Sequence, residues 1–214
     1  MKRIAIAGST GFIGRALVVA LVARGMHVTS IMRPGTESRL PAGADCIVAD
    51  PLDRATFLDA IRGFDAFVQL IGTPSPSPAK AEEFRRVDGG AGKEGAWACK
   101  EAGIPHYVYL SVPLDIPVMK AYVAVRAEVE ALITSLGLTA SIIRPYYVLG
   151  PGRRWPYLVM PLLWIGRLIP GISRLARSMV FNTREQVVQA IVRAIEQPPT
   201  GIDVWNANRI KRAL

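Results

Sequence analysis

The residues best placed to do chemistry lie at the start of the chain. Residues 2–14 read KRIAIAGSTGFIG, and Gly8, Gly11 and Gly14 fall at G-x-x-G-x-x-G spacing. A short apolar run precedes them, and residues 12–24 repeat apolar side chains at helical intervals, so the glycines occupy a strand-to-helix turn. Gly8 suits a tight turn, Gly11 lets backbone approach a ligand, and Gly14 lets the helix lie close on the strand. Backbone N–H groups and the positive end of the helix dipole would then face an anion such as the diphosphate of a dinucleotide. The plainer alternative is a tight turn in some other α/β protein.

Two further residues suggest what that dinucleotide is. Arg33 follows the second apolar run, at residues 27–32, where an acid would bond a free ribose 2′-hydroxyl and an arginine accommodates a 2′-phosphate. The nearest acid, Glu37, lies four residues on. NADP(H) is therefore favoured over NAD(H), which stays the alternative, and a solvated loop charge is the plainer reading of Arg33. Asp50 ends a third run and would either bond an adenine amino group or form a turn, while Asp53 is placed to cap a following helix.

Other chemistries find no support in the residues. His27 and His106 each adjoin a strand without metal-ligand or catalytic-dyad spacing, so no metal is expected. The G-x-S-x-G elbow of hydrolases and a phosphate-loop lysine are absent. Cys46 and Cys99 read as reduced core thiols.

The elements that must position these residues alternate in type. Strands are expected at 4–7, 27–32, 44–48, 66–71, 107–110 and 140–144, with helices at 12–24, around Phe57 to Ile61, 78–103 and 120–136. Alternation implies an α/β fold, a doubly wound parallel sheet covered on both faces, which brings Gly8, Arg33, Asp50, Gly72 and Ser111 to one carboxyl edge. The proline-rich stretch after Thr73 is a flap or a spacer at that edge. Gly89, Gly90, Gly92 and Gly95 weaken the 78–103 helix but permit close packing on the sheet.

With 214 residues, half of them hydrophobic, the chain can bury a substantial core. The division expected is a nucleotide-binding domain over 1–150 and a small C-terminal lobe over 151–214. The net charge of +9 belongs mostly to that lobe, which holds +7 against +2 for residues 1–150. Its greasy, basic stretch 151–177 reads as a substrate-side lid, as a peripheral contact with an anionic membrane or a protein, or as packing on the core. No run reaches the roughly 20 apolar residues that span a bilayer, and the strand-like start predicts no cleavable leader. A cytoplasmic protein is expected, with the inner face of a membrane as the peripheral alternative. Nucleic acid is not an expected partner.

GSTGFIG, Arg33, the run VDGGAGKEGAWACKEAGIPHYVYLS and IIRPYYVLGPG together resemble the atypical and extended short-chain dehydrogenase/reductase superfamily, near its NmrA-like members and the reductase-like accessory subunit of respiratory complex I. The resemblance covers residues 1–150 and a tail helix, TREQVVQAIVRAIEQP. It implies an NAD(P)-binding Rossmann fold and a small-molecule substrate. Cofactor contacts are then expected at Gly8, Ser9, Thr10, Gly11, Phe12, Ile13, Gly14, Arg33, Asp50, Leu52, Leu70, Ile71, Gly72, Ser111 and Pro145. The superfamily uses a Ser or Thr after the fifth strand with a Tyr-x-x-x-Lys helix, which falls here on Ser111, Tyr122 and Arg126. Arg126 in place of lysine keeps the charge beside Tyr122, but its planar fork is not an ammonium between two ribose hydroxyls. Asp88 stands where extended relatives often carry Asn. Two functions follow: an NADP(H)-dependent oxidoreductase, epimerase or dehydratase using Tyr122, or a nucleotide-holding sensor or assembly protein without turnover.

Overall fold

A computed structural model describes residues 1–74, 77–116, 119–151 and 180–214. Strands β1 (Arg3–Ala7), β2 (His27–Met32), β3 (Asp45–Val48), β4 (Ala66–Gln69), β5 (Tyr107–Leu110) and β6 (Ala140–Arg144) form where the apolar runs predict them. They lie in the order β3-β2-β1-β4-β5-β6, every pair parallel. The order reverses at β1, which puts a crevice above its carboxyl end, at the glycine turn.

Beyond β6 comes a short parallel pair, β7 (Tyr147–Leu149) with β8 (Phe181–Thr183). A seventh strand, β9 (Ile202–Asn206), extends the main sheet beside β6. The segment 151–214 thus adds an edge strand to the nucleotide-binding sheet. Residues 152–179, on which the lid and membrane readings rest, lie outside the described residues.

Helix α1 (Gly14–Val22) follows β1. The connection from 78 to 102 is a composite: a 3₁₀ turn, one α turn α2 (Ala81–Glu83), a π turn at Phe84–Gly89, and α3 (Gly90–Ala102), stopped by Gly103 at φ +68°. Close packing on the sheet is real here, since a Cβ on Gly95 would stand 2.9 Å from the Tyr107 hydroxyl. Helix α4 (Lys120–Ser135) leads into β6, and α5 (Arg184–Glu196) opens with a capping box of Thr183 and Gln186. A final short helix, α6 (Ala207–Lys211), follows β9. The helix expected around Phe57 to Ile61 is instead two 3₁₀ turns, Arg54–Thr56 and Asp59–Ile61. Asp53 still caps the first, accepting from the Ala55 amide, but Gly63 at φ +75° ends the segment before a longer helix can propagate.

Each face of the sheet carries its own core. Ile4, Ile6, Val28, Val68, Val108 and Ile143 meet Leu17, Val18 and Leu21 of α1, the apolar stripe of α5, and Trp205 of β9. Ala5, Ala7, Ile31, Phe67, Tyr107, Tyr109 and Ile142 meet Cys99 of α3 and Val129 and Ile133 of α4. Alternate residues of each strand feed alternate layers, which is why the strands read as continuous apolar runs.

Candidate cofactor and catalytic site

The glycine turn is shaped by its own sterics. Gly8 has φ +94°, and a Cβ there would lie 2.9 Å from the Ile71 amide nitrogen. Gly11 donates to the Gly8 carbonyl at 3.1 Å, and a Cβ on Gly14 would strike that carbonyl and stand 2.7 Å from the Ser9 Cα. Only glycine at both ends lets the helix start this close to the strand. Helix α1 then opens without a side-chain cap, and its Arg15 and Leu17 amides already donate to the Gly11 and Ile13 carbonyls at 3.1 and 2.9 Å, which leaves part of the first turn for a ligand.

Above this turn lies a cavity of about 450 Å³. Its wall brings together ten of the expected cofactor contacts: Gly8, Ser9, Thr10, Gly11, Arg33, Asp50, Leu52, Leu70, Ile71 and Gly72. The Ser9 hydroxyl is buried on this wall with no hydrogen-bond partner among the described residues, an O–H donor whose bond a diphosphate oxygen would accept. A nicotinamide dinucleotide fits these residues on that ground. Asp50 accepts from the Leu52 amide at 3.0 Å, so its turn-forming role is present and its second oxygen is still available to the cavity. Phe12, Ile13 and Gly14 are not on the wall. Ile13 joins the core, and the Phe12 ring packs beside it with the Arg184 guanidinium 5.5 Å from its centroid.

Sequence reasoning missed Thr36, Arg39 and Arg86, which also line the cavity. Arg39 and Arg86 are exposed and read as ordinary solvated charges, and Thr36 as a half-buried loop hydroxyl. Arg33, Arg39 and Arg86 form no ion pair among the described residues.

The expected catalytic residues lie off this wall, and two of them are held by buried charge clusters. Arg126 is 3% exposed and pairs with Asp88, which is fully buried. It also donates to the Leu110 carbonyl at 2.7 Å and the Tyr109 hydroxyl at 3.3 Å, while Asp88 accepts from the Thr73 amide and hydroxyl at 2.9 and 2.6 Å. A Cβ on Gly72 would sit 2.5 Å from the Arg126 Nη2, so the guanidinium lies directly behind the strand end. Burial drives the Tyr109 phenol up to about 12, against the pull of Arg126, so it stays a neutral hydroxyl.

The second cluster is Ser111, Glu130 and Arg144. The Ser111 hydroxyl donates to Glu130 Oε1 at 2.5 Å, and Arg144 pairs with the same carboxylate. Glu130 falls two turns beyond Tyr122 and one beyond Arg126, a spacing that marks one helical face and was the signal available for it. Tyr122 is half-buried, its ring 4.9 Å from Phe84 between centroids and 5.4 Å from the Arg126 guanidinium. Pro145 is buried after β6. Among the described residues no group of His, Cys, Asp and Glu could hold a metal, and no helix is long and apolar enough to cross a membrane.

A parallel sheet wound on both faces, with a glycine-lined crevice where its order reverses, defines a protein of the dinucleotide-binding Rossmann fold. The chain belongs to the NAD(P)H-binding family, whose model matches residues 8–160. It is 30% identical over 176 residues to a 3-diazoavenalumate denitrifying reductase of Streptomyces sp, covering 70% of this chain and 57% of that protein. It is 24% identical over 192 residues to the ceramide reductase of Caulobacter vibrioides, covering 88% and 59%. This chain therefore spans less than two thirds of either reductase. In fold it matches Bordetella bronchiseptica WbmH, a structure in complex with NAD+, with a TM-score of 0.71 at 20% identity, covering 96% of this chain and 75% of that one.

Proposed function

We propose that this chain binds NADP(H) in the cavity and uses it as an oxidoreductase on a small carbonyl or alcohol. The observation that carries the cofactor preference is the wall after β2, where Arg33 and Arg39 stand beside Thr36 with no ion pair among the described residues. A ribose 2′-phosphate matches that cationic end, and the diphosphate matches the amides of the glycine turn and the Ser9 hydroxyl. A bound nicotinamide would supply or accept hydride. Tyr122, whose hydroxyl takes part in no hydrogen bond among the described residues, would exchange a proton with the substrate oxygen. Two reductases among the relatives support redox chemistry over epimerisation.

A second reading rests on Arg126. Its guanidinium is bonded to Asp88 and to strand-end groups, so it is not free to hold a ribose as the superfamily's lysine does. That favours a protein that holds NADP(H) without turning it over.

Calorimetric titration with NADPH and NADH, on wild type and Arg33→Ala, tests the cofactor. Wild type should prefer NADPH, and the variant should lose roughly tenfold or more for NADPH alone, as removal of one charge-assisted contact predicts. Equal wild-type affinities would refute the NADP(H) assignment. NADPH oxidation across carbonyls and quinones, with Tyr122→Phe as control, separates the two readings. Turnover abolished in the variant supports the enzyme, and binding with no turnover on any acceptor supports the holder.

A further inference from the structure

We infer that Arg86 is a cofactor contact of a different kind from Arg33, a guanidinium that engages the dinucleotide's diphosphate from the β4 side of the glycine turn. The inference rests on the reading of the cavity as a dinucleotide site. Strand β1 lies between β2 and β4, so the turn that follows it is flanked by the β2 loop on one side and by the segment after β4 on the other. Arg33 and Arg39 come from the first, whereas Arg86 is the cavity's cation from the second.

Its placement is fixed by its neighbours. Arg86 sits in the π turn Phe84–Gly89, between Phe84 and Asp88, both fully buried. Phe84 packs against Tyr122 and Asp88 pairs with Arg126, so the turn is pinned at both ends while Arg86 and Val87 are left on the cavity wall. π turns widen a helix locally and are frequent at functional sites. The nearby acid does not claim the arginine, because Glu83 on the same wall faces Lys80 at 3.7 Å. The glycine turn itself lines the cavity with amides and the Ser9 and Thr10 hydroxyls, while the cation beside it, Arg15, donates to the Thr10 carbonyl at 3.0 Å and lies off the wall; a diphosphate carries two negative charges. A guanidinium across from those amides supplies the missing charge in bidentate form.

The contact predicts a pattern that a 2′-phosphate ligand would not give. Arg86→Ala should weaken NADPH, NADH and ADP-ribose alike, by roughly tenfold, and leave adenosine 2′-monophosphate unchanged. It should also flatten the salt dependence of NADH binding. Arg33→Ala should do the reverse, weakening NADPH and adenosine 2′-monophosphate only. Arg85→Ala, which removes the same charge from an exposed neighbour off the wall, should alter none of them. Wild-type NADH affinity in Arg86→Ala overturns the inference and leaves the dinucleotide site standing. Loss confined to NADPH would move Arg86 to the 2′-phosphate and overturns it too. If wild type binds neither dinucleotide, the reading of the cavity fails and the inference with it.

Discussion

Arg126 and Asp88 answer each other. The short-chain dehydrogenase/reductase pattern that the sequence resembles has a lysine at the first position and often an asparagine at the second, and here the two positions hold residues of opposite charge that meet in the interior. A buried pair of this sort gives little net stability when intact, yet loss of one partner strands the other charge and costs about 3 to 5 kcal/mol. Arg126→Met should therefore destabilise the protein strongly in urea unfolding, as should Asp88→Leu. The double variant should be no worse than either single change, a coupling of several kcal/mol. Additive losses would show that the two side chains act independently. The charges of both residues were legible in the sequence as departures from the family pattern. Their pairing was not, because it joins positions 88 and 126 by packing the π turn Phe84–Gly89 against α4 and leaves no local trace.

At the scale of elements, the strand ends were legible because a buried parallel strand is a continuous apolar run, and the residue after it is fixed once the run is recognised. Of the five residues that rule brings to the carboxyl edge, Gly8, Arg33, Asp50 and Gly72 lie on the cavity wall, whereas Ser111 lies off it and bonds Glu130. Strand β9 was missed for the converse reason. IDVWN is an edge strand with Ile202 and Val204 partly exposed and Asp203 within it, so it carries neither a continuous apolar run nor a clean alternation. The π turn was hidden likewise, since helical periodicity does not reveal one extra residue per turn. The most demanding junction is that between β1 and α1. Gly14→Ala would drive a methyl group into the Gly8 carbonyl and the Ser9 backbone, none of which can retreat without lifting α1 from the sheet. Overpacking of this kind costs about 1 to 3 kcal/mol, and dinucleotide affinity should fall with it because the turn carries the amides. Thermal unfolding of the variant beside NADPH titration checks both, and unchanged values in each would remove the steric account of the turn.

The whole molecule is held by two cores that share one sheet, so a group buried at the sheet's lower edge reports on global unfolding rather than on a local event. His106 is such a group. It lies just before β5, 2% exposed, with its Nε2 3.0 Å from the Ser141 hydroxyl and no partner for its Nδ1 among the described residues. Burial, with the Lys2 ammonium adding to it, pushes its pKa down from 6.5 to about 4. The folded protein therefore refuses a proton that the unfolded chain accepts. Above pH 6.5 the residue is neutral in both states and has no effect on stability. As pH falls from 6.5 towards 4 the unfolded chain alone is protonated, and stability is lost at about 1.4 kcal/mol per pH unit, roughly 3 kcal/mol in all. Carboxylates titrate at the lower end of the same window, so the variant His106→Asn isolates the term. Between pH 6.5 and 5 its unfolding free energy should fall less steeply than wild type, by about one proton. Parallel slopes would mean that His106 is protonated in the fold.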